Sequence, residues 1–89
     1  MKIKLELFGA SRDFSNKDYL EFNIKGQLEI KDFRKEIINY LDKNFKGNES
    51  FIKIVKNSVF CSEDNNIIND DFKIIKNQKI GIIPPIGGG

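Results

Sequence analysis

The residues best suited to chemistry stand at the end of the sequence, Ile82-Ile83-Pro84-Pro85-Ile86-Gly87-Gly88-Gly89. Two prolines directly after an apolar run end a strand ladder, because proline has no N–H. Their fixed φ also stiffens the exit. Three glycines then remove every side chain from the last positions. A backbone without Cβ atoms can pass through a narrow channel and approach a reactive group closely. The pattern predicts a folded domain over 1–83 and a flexible tail over 84–89, tipped by an unhindered carboxylate that another protein can activate. A glycine-rich end is also what a frayed terminus looks like, so these residues alone leave an inert binding module open.

Little else in the sequence offers chemistry. With no histidine, a His-based zinc site and any Ser-His or Cys-His nucleophile are excluded. The single cysteine, Cys61, cannot form an internal disulfide, which points to a reducing compartment, the cytoplasm. In its apolar setting it reads as a small buried hydrophobe. The pairs Glu63-Asp64 and Asp70-Asp71 read as solvated loop acids, and no metal is expected. Fifteen Lys+Arg against thirteen Asp+Glu leave a net charge of +2. Scattered lysines of that sum make no nucleic-acid footprint. Apolar stretches of only a few residues cannot span a bilayer, so no membrane partner is expected. Arg12 reads as one half of a local surface pair.

The elements that must position the tail follow from hydrophobic periodicity. Ile3, Leu5 and Leu7 alternate with Lys2, Lys4 and Glu6, the period of a half-buried strand. Phe8 then falls on the polar side. Gly9 to Asp18 reads as a loop, and Tyr19 to Ile24 as a second strand forming an antiparallel hairpin with the first. After a turn at Lys25-Gly26-Gln27, Ile30, Phe33, Ile37, Tyr40 and Leu41 mark a helical stripe. The helix is expected over Ile30–Asn44, with Lys31, Arg34 and Lys35 on its solvated side. Phe51 to Val55 and Val59 to Cys61 read as a tight strand hairpin. Glu63 to Asp71 reads as a surface loop, and Phe72 to Ile75 as a short helical or irregular segment. Lys79 to Ile83 is the last strand, with Ile80 and Ile82 on one face and Gly81 and Ile83 on the other. Eighty-nine residues allow one domain. This order predicts an α+β roll: a mixed sheet of four to five strands on one main helix, the last strand parallel to the first.

Together these features resemble the ubiquitin-like sulfur carriers of the MoaD/ThiS family, and within it the small subunits of molybdopterin synthase. Leu7-Phe8-Gly9-Ala10-Ser11-Arg12-Asp13 is similar to the family's strand ending in Phe-Ala before an Arg-Glu pair. Glu29-Ile30-Lys31-Asp32-Phe33 stands where the family opens its helix with Thr-Val-x-x-Leu. Val55-Lys56-Asn57-Ser58-Val59 resembles its Val-Asn-x-x-hydrophobic turn. The most specific likeness is the ending, an apolar strand running into Pro84-Pro85 and the final glycines. Two positions depart from the pattern: Lys76-Asn77-Gln78-Lys79 replaces Asp-Gly-Asp-Glu, and Glu29 replaces the threonine cap.

The resemblance implies a ubiquitin-like β-grasp roll and a division of labour. Gly89, preceded by Gly88, becomes an acyl-adenylate and then a thiocarboxylate that donates sulfur to a cyclic pterin precursor. The small protein is not an enzyme on its own and binds no cofactor stably; ATP is used by its activating enzyme. The implied partners are an adenylating sulfurtransferase of the ubiquitin-activating type and the large subunit of molybdopterin synthase, as a heterotetramer of two small and two large subunits. Phe8, Val59, Ile83, Pro84, Pro85, Ile86 and Gly87 are the implied partner-binding residues. A thiazole sulfur carrier and a ubiquitin-like protein modifier share the Gly-Gly ending and remain open alternatives.

Overall fold

The alternation at the start of the chain folds as expected into β1 (Lys2–Leu7), whose Ile3, Leu5 and Leu7 are buried. A computed structural model describes residues 1–86, so Gly87, Gly88 and Gly89 lie outside the described residues. After β1 come a 3₁₀ turn (Gly9–Phe14), β2 (Tyr19–Asn23), β3 (Leu28–Glu29) and α1 (Ile30–Asn44). Then follow α2 (Glu49–Asn57), β4 (Val59–Cys61), β5 (Ile67–Ile68), β6 (Lys73–Ile74) and β7 (Gln78–Ile83). The main sheet has five strands in the order β2-β1-β7-β4-β5, and β3 pairs with β6 in a separate two-stranded ribbon. β7 lies parallel to β1, with Leu5 beside Ile80 and Leu7 beside Ile82. The expected α+β roll with a mixed sheet is thus the architecture observed.

The core lies between one sheet face and α1. Ile30, Phe33, Ile37 and Leu41 bury completely against Ile3, Leu5, Phe60, Ile80 and Ile82. The Phe33 ring meets Phe22 edge-on at 5.3 Å between centroids, an arrangement that adds roughly 1 kcal/mol to the area term. At the start of α1, the Glu29 N–H donates to the Asp32 carboxylate at 3.4 Å. Glu29 also pairs with Lys31 Nζ at 3.1 Å, and this contact raises the pKa of the exposed ammonium above its ordinary value.

Four expectations need correction. Glu63 to Asp71 is not all loop, since Ile67–Ile68 pairs with β4 as β5. Phe51 to Val55 is not a strand but the middle of α2. The helix starts because Asn48 accepts from the Phe51 N–H at 3.1 Å, with Glu49 in the first turn. Phe51, Ile54 and Val55 recur at three and four residues, and tertiary burial on that face outweighs their β preference. Gly9 to Phe14 winds into a 3₁₀ turn that buries Phe14 and Ser11, so it is not a plain loop. The Phe72 to Ile75 segment contains β6, held to β3 with Leu28 opposite Ile74.

Arg34 also departs from the solvated role expected of it. Its Nη1 donates to the carbonyls of Val55 at 2.7 Å and Ser58 at 2.8 Å. Its Nη2 meets Asp70 at 2.9 Å, and the guanidinium lies 4.9 Å from the Phe60 ring centroid. One side chain thereby joins α1 to the end of α2 and the start of β4. We predict that Arg34→Met lowers unfolding free energy by about 2–3 kcal/mol, because two carbonyls lose a charged donor. Urea denaturation with an unchanged m-value would check this; a loss below about 0.5 kcal/mol would contradict the clamp.

Candidate functional site

The candidate site is the end of β7 together with the sheet face turned away from α1. β7 sits between β1 and β4, so the strand leading to the tail is hydrogen-bonded on both sides. Pro84, the first residue after it, is buried. It packs beside Gly9, where an added Cβ would lie 3.8 Å from Pro84 Cδ and where φ is +55°. That left-handed conformation suits glycine at the entry to the 3₁₀ turn. Ser11 fixes the turn, its hydroxyl donating to the Phe8 carbonyl at 2.6 Å. Pro85 is exposed, and Ile86 stands 97% exposed. The described chain therefore changes from fully packed to fully solvated within three residues.

The outer sheet face carries an apolar patch. Side chains on paired strands share a face when they lie opposite one another. Val59 pairs with Ile83, Cys61 with Gly81, and Ile67 with Cys61. Val59 is 47% exposed and Ile67 62%, whereas Ile83 and Phe8 are half-buried. The Phe8 ring lies over Gly81, where a Cβ would come within 3.0 Å of Phe8 Cε2 and 2.6 Å of Cys61 Sγ. Phe8 thus breaks the strand alternation because the missing side chain at position 81 leaves it a seat. Phe8, Val59 and Ile83 lie on the same face of the sheet. Sequence reasoning placed Gly81 on the face of Ile83 but missed Ile67 as a member of it. Ile67 stands inside a polar loop, and only its pairing with Cys61 reveals its side.

Polar residues border the patch on the β1 side. Lys79 Nζ lies 3.7 Å from Glu6, and the Lys79 N–H donates to Glu63 at 2.8 Å. Glu63, expected to be merely solvated, continues the ladder where β4 has ended. Asn77 accepts from the Lys2 N–H at 2.7 Å. The Lys76-Asn77-Gln78-Lys79 corner, where the sequence departs from the family pattern, therefore ties the starts of β1 and β7 together. Cys61 is 7% exposed, buried as expected. Among the described residues no cluster of three or more metal-ligating side chains occurs, and no helix is long and apolar enough to cross a membrane.

No family model and no curated protein matches the sequence. Solved structures do match the fold. One is a Pyrococcus furiosus protein assigned as molybdopterin converting factor subunit 1. It is 18% identical, with a TM-score of 0.69 over 96% of this chain and 98% of that one. SAMP1 from Haloferax volcanii is 11% identical, with a TM-score of 0.68 over the whole of both chains. At these identities the common property is the fold, a ubiquitin-like β-grasp.

Gly81 is the test of how the patch is built. We expect Gly81→Ala to cost about 1–3 kcal/mol by overpacking. Adding Cys61→Ala removes the nearer obstacle and should recover part of that loss in a double-mutant cycle. Strict additivity of the two changes would show that position 81 does not seat these side chains.

Proposed function

We propose that this chain is a sulfur carrier, the small subunit of a molybdopterin synthase. The observation that carries the reading is the way the central strand β7 runs through a buried Pro84 into the solvated Ile86, beside the apolar patch of Phe8, Val59 and Ile83. A firmly held strand aims the glycine end, and the patch supplies a surface by which another protein grips the body. The shared fold with a protein assigned as molybdopterin converting factor subunit 1 supports the same reading.

The chemistry assigns this chain the acyl group and assigns its partners the catalysis. The Gly89 carboxylate attacks the α-phosphorus of ATP on an adenylating sulfurtransferase, and pyrophosphate leaves. Hydrosulfide then attacks the acyl carbon and AMP departs, leaving a thiocarboxylate. Within the large subunit the sulfur attacks a carbon of a cyclic pterin precursor and displaces an oxygen substituent from it, which forms an acyl–sulfur link between carrier and pterin. Hydrolysis of the resulting acyl–sulfur bond leaves sulfur on the pterin and returns the carboxylate. Tethering raises the effective concentration of sulfur at the acceptor. Gly88 and Gly87 keep the approach narrow, and Pro84, Pro85 and Ile86 form the stalk between patch and tip. The working assembly in this proposal is two small and two large subunits in the cytoplasm, where ATP and reduced sulfur donors occur.

Incubation with the activating enzyme, ATP and a sulfur donor should raise the intact mass by the difference between sulfur and oxygen. Deleting Gly88 and Gly89 should abolish that gain with circular dichroism unchanged. A ladder of lysine conjugates would identify a modifier, and no change with a competent activating enzyme would sink the carrier reading. For the patch, Val59→Asp should weaken binding to the large subunit at least about tenfold. Its thermal midpoint should stay within a few degrees, because the side chain is exposed. Ile75→Asp, a more exposed apolar position off the main sheet, is the control and should leave binding unchanged.

A further inference from the structure

The two edges of the five-stranded sheet are treated differently. One edge, β5, is only two residues long, a length that blunts strand pairing. The other, β2, runs for five residues with no proline and no lysine inside it. Met1 and Ile24 exchange both backbone hydrogen bonds, and the Leu7 N–H donates to the Asp18 carbonyl at 2.8 Å. In an antiparallel pair, bonded and non-bonded positions alternate. Asp18, Leu20, Phe22 and Ile24 therefore face β1, while Tyr19, Glu21 and Asn23 turn their N–H and C=O groups outward. Among the described residues these outward groups have no partner.

Beside this edge lies a groove of about 440 Å³ between β2 and the end of α1. The half-buried Tyr40 and Phe45 supply aromatic surface to it above the buried Phe14 and Leu20, and Ser15, Asn16, Lys17, Glu21 and Asn44 make the rest of its lining polar. An open ladder edge next to a trough with two aromatic rings in a polar rim fits one kind of occupant, an extended backbone with side chains dropping onto those rings at alternate positions. β1 already shows what a strand against β2 looks like: Ile3, Leu5 and Leu7 toward the core, and Lys4 opposite Glu21. A second copy of this chain suits the edge poorly. Full antiparallel overlap of two β2 strands places Glu21 opposite its own copy, and like charges there are destabilising.

We propose that the β2 edge is a docking site for an extended segment of a partner polypeptide, apolar at alternate positions and basic opposite Glu21, which adds a sixth strand to the sheet. The site does not depend on the sulfur-carrier reading. β1 and β7 separate it from Val59 on β4, so a partner held there leaves the Val59–Ile83 patch and the β7 exit uncovered. The protein can then hold one partner by its edge while another engages the tail.

The probe is the end-blocked peptide of β1 itself, Lys2–Leu7, titrated into the isotopically labelled full chain by NMR. The expected result is saturable shifts at the amides of Tyr19, Glu21 and Asn23 and at Tyr40 and Phe45, with a Kd of roughly 1 mM or tighter. The same peptide with prolines replacing both Lys4 and Leu5 loses one N–H from either side of the strand, and should bind at least about tenfold more weakly. Three outcomes would overturn the proposal: no saturable shifts, shifts confined to the patch around Val59 and Ile83, or equal binding by the proline peptide. Concentration-dependent shifts at β2 without peptide would also overturn it, by making a second copy the occupant.

Discussion

The parallel pairing of β1 with β7 is the constraint on which the rest of the molecule depends. Parallel neighbours cannot be joined by a tight turn, so the intervening chain must cross over a face of the sheet. Here that crossover contains α1, which covers one face completely and supplies the core, and α2, which brings the chain back to β4. With β7 in the middle of the sheet, the end of the chain leaves from the most firmly held strand and not from a fraying edge. The same pairing sets Leu5 beside Ile80 and Leu7 beside Ile82, so inner and outer faces agree across both strands. A slip of one residue would exchange the faces and expose the core.

The outer face owes its character to a missing side chain. Gly81 lets the Phe8 ring and the Cys61 thiol settle over the centre of the sheet from opposite sides. Phe8 is thereby half-buried and held in place, which lowers the entropy that its docking against another protein would cost. Val59 and Ile67 project further and give the patch its exposed area. Gly9 and Pro84 do the equivalent work at the rim, where one glycine conformation and one ring set where the chain leaves the domain. Body, patch and exit are therefore one rigid arrangement produced by a few close contacts.

Arg34 shows how such a small domain compensates for a lean core. Its guanidinium satisfies the carbonyls where α2 ends and β4 begins, and an acid on the following loop completes the set. β4 is only three residues long, and without that anchor its Val59 would have little to fix it against Ile83. The polar network on one side of the sheet thus supports the apolar surface on the other.

Several features were legible in the residues alone. The period-two runs gave β1 and β2, the stripe from Ile30 to Leu41 gave α1 with its observed ends, and the place of Phe8 and Ile83 on the outer face followed from broken alternation. These are local patterns, and the hydrophobic period reports them directly. The identity of α2 was not legible, since Phe51-Ile52-Lys53-Ile54-Val55 satisfies a strand pattern almost as well as a helical one. The cap at Asn48 and burial against α1 and the 3₁₀ turn decide it. Nor could the residues show that Ile67 shares a face with Val59, that Arg34 reaches the carbonyls of Val55 and Ser58, or that β2 is left as an open edge. Those depend on which segments distant in sequence become neighbours, and composition carries no record of that. The sequence by itself determined β1, β2, α1 and the last strand, together with the proline–glycine composition of the tail; tertiary pairing decided the face, the clamp and the edge, because register across strands exists only once the chain has closed.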